Sequence, residues 1–80
     1  MPLNPYIATA VEALEDMGFE DMSEVEPGHG LVGMWLPVAP FTKIVVHDNE
    51  LAEQRHTRTA VLRQLDTDAQ RTSFLELTGW

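Results

Sequence analysis

A start signal and a stop signal enclose the first apolar stretch of this chain and predict a helix there. Asn4 is a good N-cap residue, and Pro5 suits the first helical position because proline lacks the N–H that this position leaves unpaired. Gly18 supplies the left-handed conformation that ends a helix, and Phe19 then packs back on the last apolar turn, as in a Schellman motif. Apolar residues recur between these signals at helical spacing, at Ile7, Val11 and Leu14. We therefore predict a helix at residues 5–17.

Three apolar stretches separated by proline and glycine follow, and they predict strands. Residues 22–26 alternate in polarity, residues 31–36 are rich in large apolar side chains, and residues 41–47 carry a β-branched run at their centre. The sequence Pro-Gly-His-Gly at 27–30 and the two prolines within 37–40 are turn signals. Connections this short suit antiparallel pairing, so we predict a three-stranded antiparallel meander.

The last third of the chain predicts two helices. Its apolar anchors are Leu51, Val61, Leu62 and Leu65. The first of these helices has two candidate N-caps, Asn49 or Thr57, and the sequence does not choose between them. Thr67 and Gln70 form a capping box that opens the final helix, and Gly79 ends it with the same device as in the first helix.

The predicted order is α-β-β-β-α-α, which describes an α+β domain. A sheet and a set of amphipathic helices form two layers around one core, so we expect the helices to pack on one face of the meander. Residues 1–80 are expected to form a single domain. Apolar residues make up 44% of the chain, which is enough for such a core, and no cysteine is present to support it with a disulfide.

Nothing in the sequence predicts secretion or a membrane span. The first residues lack the basic and apolar segments of a signal peptide. The longest apolar stretch, at residues 31–40, is too short to cross a bilayer and contains two prolines. The absence of cysteine fits a reducing compartment, so we expect a cytoplasmic protein.

Positive charge is confined to the second half of the chain. Residues 1–42 carry seven acidic residues and no Lys or Arg, whereas residues 43–80 carry six acidic residues and five basic ones. The net charge of the whole chain is −8. A field of one sign repels nucleic-acid phosphates and attracts basic surfaces. We therefore predict a partner-binding surface that includes Glu12, Glu15, Asp16, Glu20, Asp21, Glu24 and Glu26.

The middle predicted strand is apolar on both of its faces. One face carries Leu31, Gly33 and Trp35, and the other carries Val32, Met34 and Leu36. A strand that is covered on one side only should alternate apolar and polar residues. In one interpretation the last helix or Trp80 covers the second face. In the other, Met34 and Trp35 belong to a surface for a protein partner or a second copy of the chain.

The histidines do not predict a metal site. They are His29, His47 and His56, and no pair of them has the spacing of zinc ligands. We expect no metal and no cofactor. His29 lies between glycines in a predicted turn, where an imidazole that titrates near neutral pH could act as a general acid-base.

The basic residues cluster at Arg55, Arg58 and Arg63. On a helix, Arg55 and Arg58 are neighbours, and Glu50 and Glu53 lie close enough to neutralise them. The cluster is interpreted either as a solvated, salt-bridged helix face or as a small phosphate-binding patch.

The chain resembles the HicA-type mRNA interferase toxins, which have a double-stranded-RNA-binding-domain-like fold. The residues that carry the resemblance lie at 18–20, 28–29, 43–47, 50–51 and 57–65. They match a Gly-Phe helix end, the end of a Gly-Ser-His motif whose Ser is missing here, a Val-rich third strand and an Arg-rich helix. The resemblance implies a helix, a three-stranded meander and a helix, with His29 as the general acid-base of an endoribonuclease.

The charge distribution and the lack of a recognisable catalytic motif favour a binding protein over an enzyme. We expect a small acidic accessory or inhibitory protein of bacterial or phage type, which acts by surface contact with a basic protein partner. We expect it to bind neither nucleic acid nor membranes. Two alternatives stay open: an endoribonuclease toxin that uses His29, and a structural or assembly protein that self-associates as a homodimer through the face with Trp35.

Overall fold

The predicted order of elements is confirmed in the computed structural model, which describes residues 4–22, 31–49 and 51–80. Three helices and a three-stranded antiparallel sheet form a mixed α+β fold. The elements are α1 (Pro5–Asp16), β1 (Glu20–Asp21), β2 (Leu31–Trp35), β3 (Lys43–His47), α2 (Gln54–Gln64) and α3 (Asp68–Thr78).

Helix α1 begins and ends at the signals in its sequence. The Asn4 side chain accepts a hydrogen bond from the Tyr6 N–H at 2.8 Å, which satisfies one of the unpaired donors at the helix start. At the other end Gly18 has a φ of +98°. The Phe19 N–H then donates to the Leu14 carbonyl at 2.9 Å, which is the long bond of a Schellman motif. Local chemistry therefore sets both ends of α1.

The sheet has the order β1-β2-β3, and its register decides which apolar face of β2 is buried. Met34 pairs with Ile44, so the two side chains lie on the same face. Ile44 and Val46 are buried, whereas the alternate residues of β3 are exposed. The face with Met34 is therefore the core face, and its side chains share one core with buried side chains of all three helices.

Strand β1 begins earlier than the sequence predicts. It spans Glu20–Asp21 and not residues 22–26. Met22 continues the pairing with one hydrogen bond to the Gly33 carbonyl, and residues 23–26 lie outside the described part of the chain. The Schellman turn explains the shift, because it reverses the chain at Gly18 and brings the next residues directly beside β2.

Strand β3 is shorter than predicted because a turn ends at Phe41, the first predicted residue of the strand. Phe41 has a φ of +59°, outside the extended region, and its N–H donates to the Val38 carbonyl at 2.7 Å. Thr42 follows this turn, and its carbonyl accepts from the Leu36 N–H. The extended conformation of β3 therefore starts at Lys43.

Neither candidate N-cap of the second helix is the observed one. Helix α2 begins after Glu53. Asn49 instead forms a turn, in which its side-chain and backbone oxygens accept from the Leu51 and Ala52 N–H groups, both at 2.9 Å. Thr57 is inside the helix and only 2% exposed. Both oxygens of Asn49 accept hydrogen bonds within this turn, so Asn49 does not cap α2.

Helix α3 has the predicted capping box but ends differently from α1. The Thr67 hydroxyl accepts from the Gln70 N–H at 3.1 Å, and the Gln70 side chain accepts from the Thr67 N–H at 3.1 Å. Gly79 adopts the left-handed conformation, as predicted, and its N–H donates to the Leu75 carbonyl. The Trp80 N–H donates to the hydroxyl of Thr78 and not to the Leu75 carbonyl, so α3 ends in the simpler αL motif.

The core lies between the sheet and the helices. Its largest fully buried side chains are Phe74, Ile7, Leu14, Ile44 and Val61. Helix α1 contacts both α2 and α3, and α2 also packs against β3. Among the described helices, none combines the length and the apolar character needed to cross a membrane.

Candidate functional site

Five exposed carboxylates lie on α1 and β1; the register of the sheet places Glu20 on the outer face with Trp35, and the other four lie on the side of α1. We call these five residues the acidic surface: Glu12, Glu15, Asp16, Glu20 and Asp21. The three residues on α1 lie within about 100° of the helix circumference, given 3.6 residues per turn. Glu24 and Glu26, the other two predicted members, lie outside the described residues.

No ion pair joins the acidic surface to a basic residue within the described ranges. The ion pairs of these ranges join Arg55 to Glu53, at 3.6 Å, and Arg71 to Asp68. Glu15 and Asp16 lie in the last turn of α1, which contains no basic residue. The helix dipole disfavours a negative charge there by roughly 0.3–1 kcal/mol at an exposed site. The carboxylates therefore raise the local negative potential and do not stabilise the helix.

A cleft joins the part of the acidic surface on α1 to the part on β1. Glu15 and Asp21 both line this cleft, which has a volume of about 390 Å³. Its apolar lining includes Val11 of α1 and Val32 of β2. The fold thus places carboxylates that are six positions apart in the sequence at the edge of one concave surface.

Trp35 lies on the sheet face opposite the helices and is half-buried. Its register partners are Glu20 on one side and Lys43 on the other, so the three side chains form a row across the sheet. The interpretation in which the last helix or Trp80 covers this face is wrong. The Trp80 ring packs edge-on against the core residue Phe74, with 5.7 Å between the ring centroids, and α3 packs on α1.

Met34, in contrast, is only 2% exposed and belongs to the core. It therefore cannot contact a partner on the surface of the folded protein, and we leave it out of the candidate surface. The alternation in β3 is the sequence signal that separates Met34 from Trp35. Lys43, Val45 and His47 mark the outer face, and the register places Trp35 on that face with Lys43.

The three arginines of the predicted basic cluster do not form one compact patch. All three are exposed on α2. Arg63 lies about 80° around the helix from Arg55 and about 140° from Arg58, and more than two turns from Arg55 along it. Arg55 is partly neutralised by its ion pair with Glu53. This arrangement fits a solvated helix face better than a phosphate-binding patch.

Two of the three histidines, His47 and His56, lie in the described part of the chain, and both line a pocket between α2 and the end of β3. His47 is exposed at the end of β3, and His56 is exposed in the first turn of α2. The Nδ1 atom of His56 accepts from the Glu53 N–H at 3.3 Å. His29 lies outside the described residues. Across the ranges 4–22, 31–49 and 51–80, no group of three or more His, Cys, Asp or Glu side chains is arranged to hold a metal ion.

Two polar residues make long-range hydrogen bonds that the sequence does not predict. Asn4 is 5% exposed, and its Nδ2 donates to the carbonyls of Asn49, at 3.0 Å, and Ala52, at 3.2 Å. Gln64 exchanges two hydrogen bonds with the backbone of Val45, at 2.9 and 2.8 Å. Gln64 thereby satisfies part of the free edge of β3. Both contacts join residues far apart in sequence, so no local pattern signals them.

Comparison with known protein families, with curated proteins and with solved structures finds no match to this chain. The resemblance to the HicA-type toxins therefore stays a prediction from the sequence.

Proposed function

We propose that this chain is a small acidic binding protein that acts by contact with a basic surface of a partner protein and catalyses no reaction. Its role is that of an accessory or inhibitory protein of bacterial or phage type. The observation that supports this proposal is the acidic surface: five exposed carboxylates on two neighbouring elements, with no basic partner in the described part of the chain.

The unbalanced negative charge lies at the exposed surface of the protein. Exposed carboxylates attract a basic protein over several ångströms and raise the rate of productive encounter. Because they are already solvated at the surface, they need little dehydration before a Lys or Arg of the partner pairs with them. A cation beside Glu15 or Asp16 also offsets the unfavourable interaction of these acids with the helix dipole.

Trp35 adds a feature that favours arginine over lysine in the partner. The half-buried indole lies next to Glu20 in the register of the sheet. A guanidinium group can stack on an indole and donate hydrogen bonds to a neighbouring carboxylate, which an ammonium group does less well. Lys43, on the other side of Trp35, limits the contact to the side with Glu20.

Nucleic acid is a poor partner because its phosphates carry the same negative charge as the acidic surface. Phosphate binding depends on basic side chains that displace counterions. The acidic surface is negative, whereas a phosphate-binding surface is positive. The arginines of α2 are spread around the helix and do not form such a surface. A nucleic-acid partner is therefore not proposed.

The test uses a labelled octa-arginine peptide as the basic probe and fluorescence anisotropy as the measurement. Glu15→Gln removes one charge from the acidic surface, and the matched control Glu76→Gln removes one charge from an exposed site on α3. We expect Glu15→Gln to weaken binding about 1.4- to 5-fold, the range for an exposed ion pair, and Glu76→Gln to have a smaller effect. Binding should weaken as the Debye length falls from about 30 Å at 0.01 M salt to about 3 Å at 1 M.

Equal effects of the two variants would show that only net charge matters and would remove the acidic surface from the proposal. A second readout locates the contact. In a Trp80→Phe background, Trp35 is the one remaining tryptophan of the two in the chain. Its emission should change when the peptide binds, and an unchanged emission at saturation would exclude a contact beside Glu20.

The two alternatives rest on different observations. The endoribonuclease depends on His29, which lies outside the described residues, and it remains a prediction from the family resemblance. Self-association through Trp35 would use the outer sheet face, where Val45 is 38% exposed. Light scattering across a range of protein concentrations separates this alternative from binding to a basic partner.

A further inference from the structure

A second concave site lies between the end of α1 and α3. It is a pocket of about 300 Å³, which we call the Leu77 pocket after one of its lining residues. Asp16, a member of the acidic surface, also lines it, whereas the neighbouring Glu15 lines the cleft beside β1 and β2. The last turn of α1 therefore carries one acid beside each of two partly apolar hollows.

The lining of the Leu77 pocket includes apolar side chains that a partner can contact. Phe19 and Leu36 also line the pocket, but they are buried in the core and contribute little accessible surface. Leu77 is 49% exposed and Met17 is half-buried, so both keep apolar surface that is open to solvent. Because removal of apolar surface from water is favourable, an apolar side chain is the group that this pocket suits best.

The polar residues of the pocket favour a cation next to the apolar group. The Gln70 side chain lines the pocket but is already paired within the protein. Its Oε1 accepts from the Asp66 and Thr67 N–H groups at 2.8 and 3.1 Å, and its Nε2 donates to the Thr42 hydroxyl at 3.0 Å. Asp16 is exposed, takes part in no ion pair within the described ranges, and lies in the last turn of α1, where the helix dipole adds to the negative potential. The site thus combines apolar surface with negative charge.

We propose that the Leu77 pocket holds one apolar side chain of the basic partner, next to an arginine or lysine that pairs with Asp16. This anchor rests on the proposed function, since the same basic partner supplies both side chains. The volume is at the lower end of the range of ligand pockets, about 300–1,000 Å³, and suits a single side chain such as leucine. Apolar anchors surrounded by charged groups at the rim are typical of protein interfaces. A second copy of the chain is a poor occupant, because two chains with a net charge of −8 repel each other.

The experiment compares two labelled peptides of equal charge, Arg-Arg-Leu-Arg-Arg and Arg-Arg-Ser-Arg-Arg, by fluorescence anisotropy. The leucine peptide should bind about four- to twelvefold more tightly, which is the range for burial of roughly half of a leucine side chain. Leu77→Gln removes an accessible apolar side chain from the pocket and should remove most of this difference, with little effect on the serine peptide. Leu51→Gln makes the same change at a residue that is 85% exposed and lines a different pocket, and it should preserve the difference.

Asp16→Asn tests the charged part of the contact separately. It should weaken the binding of both peptides by the same factor, about 1.4- to 5-fold for an exposed ion pair. Asp16 and Leu77 are exposed, so neither substitution disturbs the core, and far-ultraviolet circular dichroism checks that both variants are folded. Amide chemical shifts of the isotope-labelled chain locate the leucine peptide, and the largest changes should surround Asp16 and Leu77.

Failure of the apolar anchor and failure of the proposed function give different results. Equal affinity of the two peptides for wild type, or a difference that Leu77→Gln does not reduce, would overturn the anchor and leave the charge-driven contact in place. If neither these peptides nor octa-arginine bound, the proposed function and the anchor would both be overturned. A dimer detected by light scattering that Leu77→Gln dissociates would place a second copy in the pocket and would also overturn the proposal.

Discussion

Asn4 provides the sharpest test of how this fold is held together, because two of its roles predict opposite results for one substitution. As an N-cap, Asn4 could be replaced by Asp without loss, since the two residues cap helices about equally well. An acid would even interact favourably with the dipole at the start of α1, by about 0.3–1 kcal/mol. If capping were the main role, Asn4→Asp would leave the stability unchanged or raise it.

The surroundings of Asn4 predict a large loss instead. The substitution removes the Nδ2 donor and with it the hydrogen bonds to the Asn49 and Ala52 carbonyls, worth about 1 kcal/mol each. It also places a carboxylate, at a site only 5% exposed, against those two carbonyl oxygens and near the acid Asp48, whose Oδ1 accepts from the Asn4 N–H at 3.3 Å. Burial and like charge add roughly 1–2 kcal/mol, so the net loss is about 3 kcal/mol.

The measurement is urea unfolding followed by far-ultraviolet circular dichroism. An 80-residue domain has a total stability of about 4–12 kcal/mol, so a loss of about 3 kcal/mol is a clear shift of the midpoint. Asn4→Ser is the matched control. Serine also caps a helix, but it lacks the Nδ2 donors and brings no charge, so its loss should be about 2 kcal/mol. Wild type, Asn4→Ser and Asn4→Asp should therefore rank in that order, and an Asn4→Asp variant as stable as wild type would refute the reasoning.

Two further predictions concern the backbone at other places. Gly18→Ala should cost about 1–2 kcal/mol, because the φ of +98° is unfavourable for any residue with a Cβ, while the new atom would meet Leu36 only at an ordinary 3.6 Å; a thermal melt measures this, and an unchanged Tm would contradict it. Gln64→Met should cost about 1 kcal/mol and expose the β3 edge at Val45 to other chains. Thermal melts and light scattering test this, and unchanged stability would show that the Gln64 bonds are not important.

The parts of the fold that the sequence predicts correctly are those with local causes. The start of α1 needs only Asn4 and Pro5, its end needs Gly18 and Phe19, and the capping box of α3 lies within four consecutive residues. In each case the signal and its structural effect are a few positions apart. Pattern reading therefore finds the helices, the number of strands and their order.

The parts of the fold that the sequence predicts wrongly, or does not predict, depend on residues that are far apart in the chain. The Asn49 turn is tied to Asn4, which is 45 positions away and bonds the Asn49 carbonyl. Which face of β2 is buried follows from its pairing with β3. The burial of Thr57, which is only 2% exposed, appears only once α1, β3 and α2 are packed around it. A single sequence contains these residues but not their distances.

The acidic surface is neither wholly predictable nor wholly missed. Its negative charge can be counted in the sequence, whereas the absence of ion pairs to it within the described ranges appears only in the structure. Solubility requires polar side chains on the outside of α1, but it does not require that they share one sign. Glu15 and Asp16 lie at the end of the helix where the dipole opposes them, and no ion pair within the described ranges offsets this. The stability of the described fold therefore does not explain these acids. A cation that approaches from outside the chain would interact favourably with the carboxylates and with the helix end together, and this is the physical basis for proposing a basic partner.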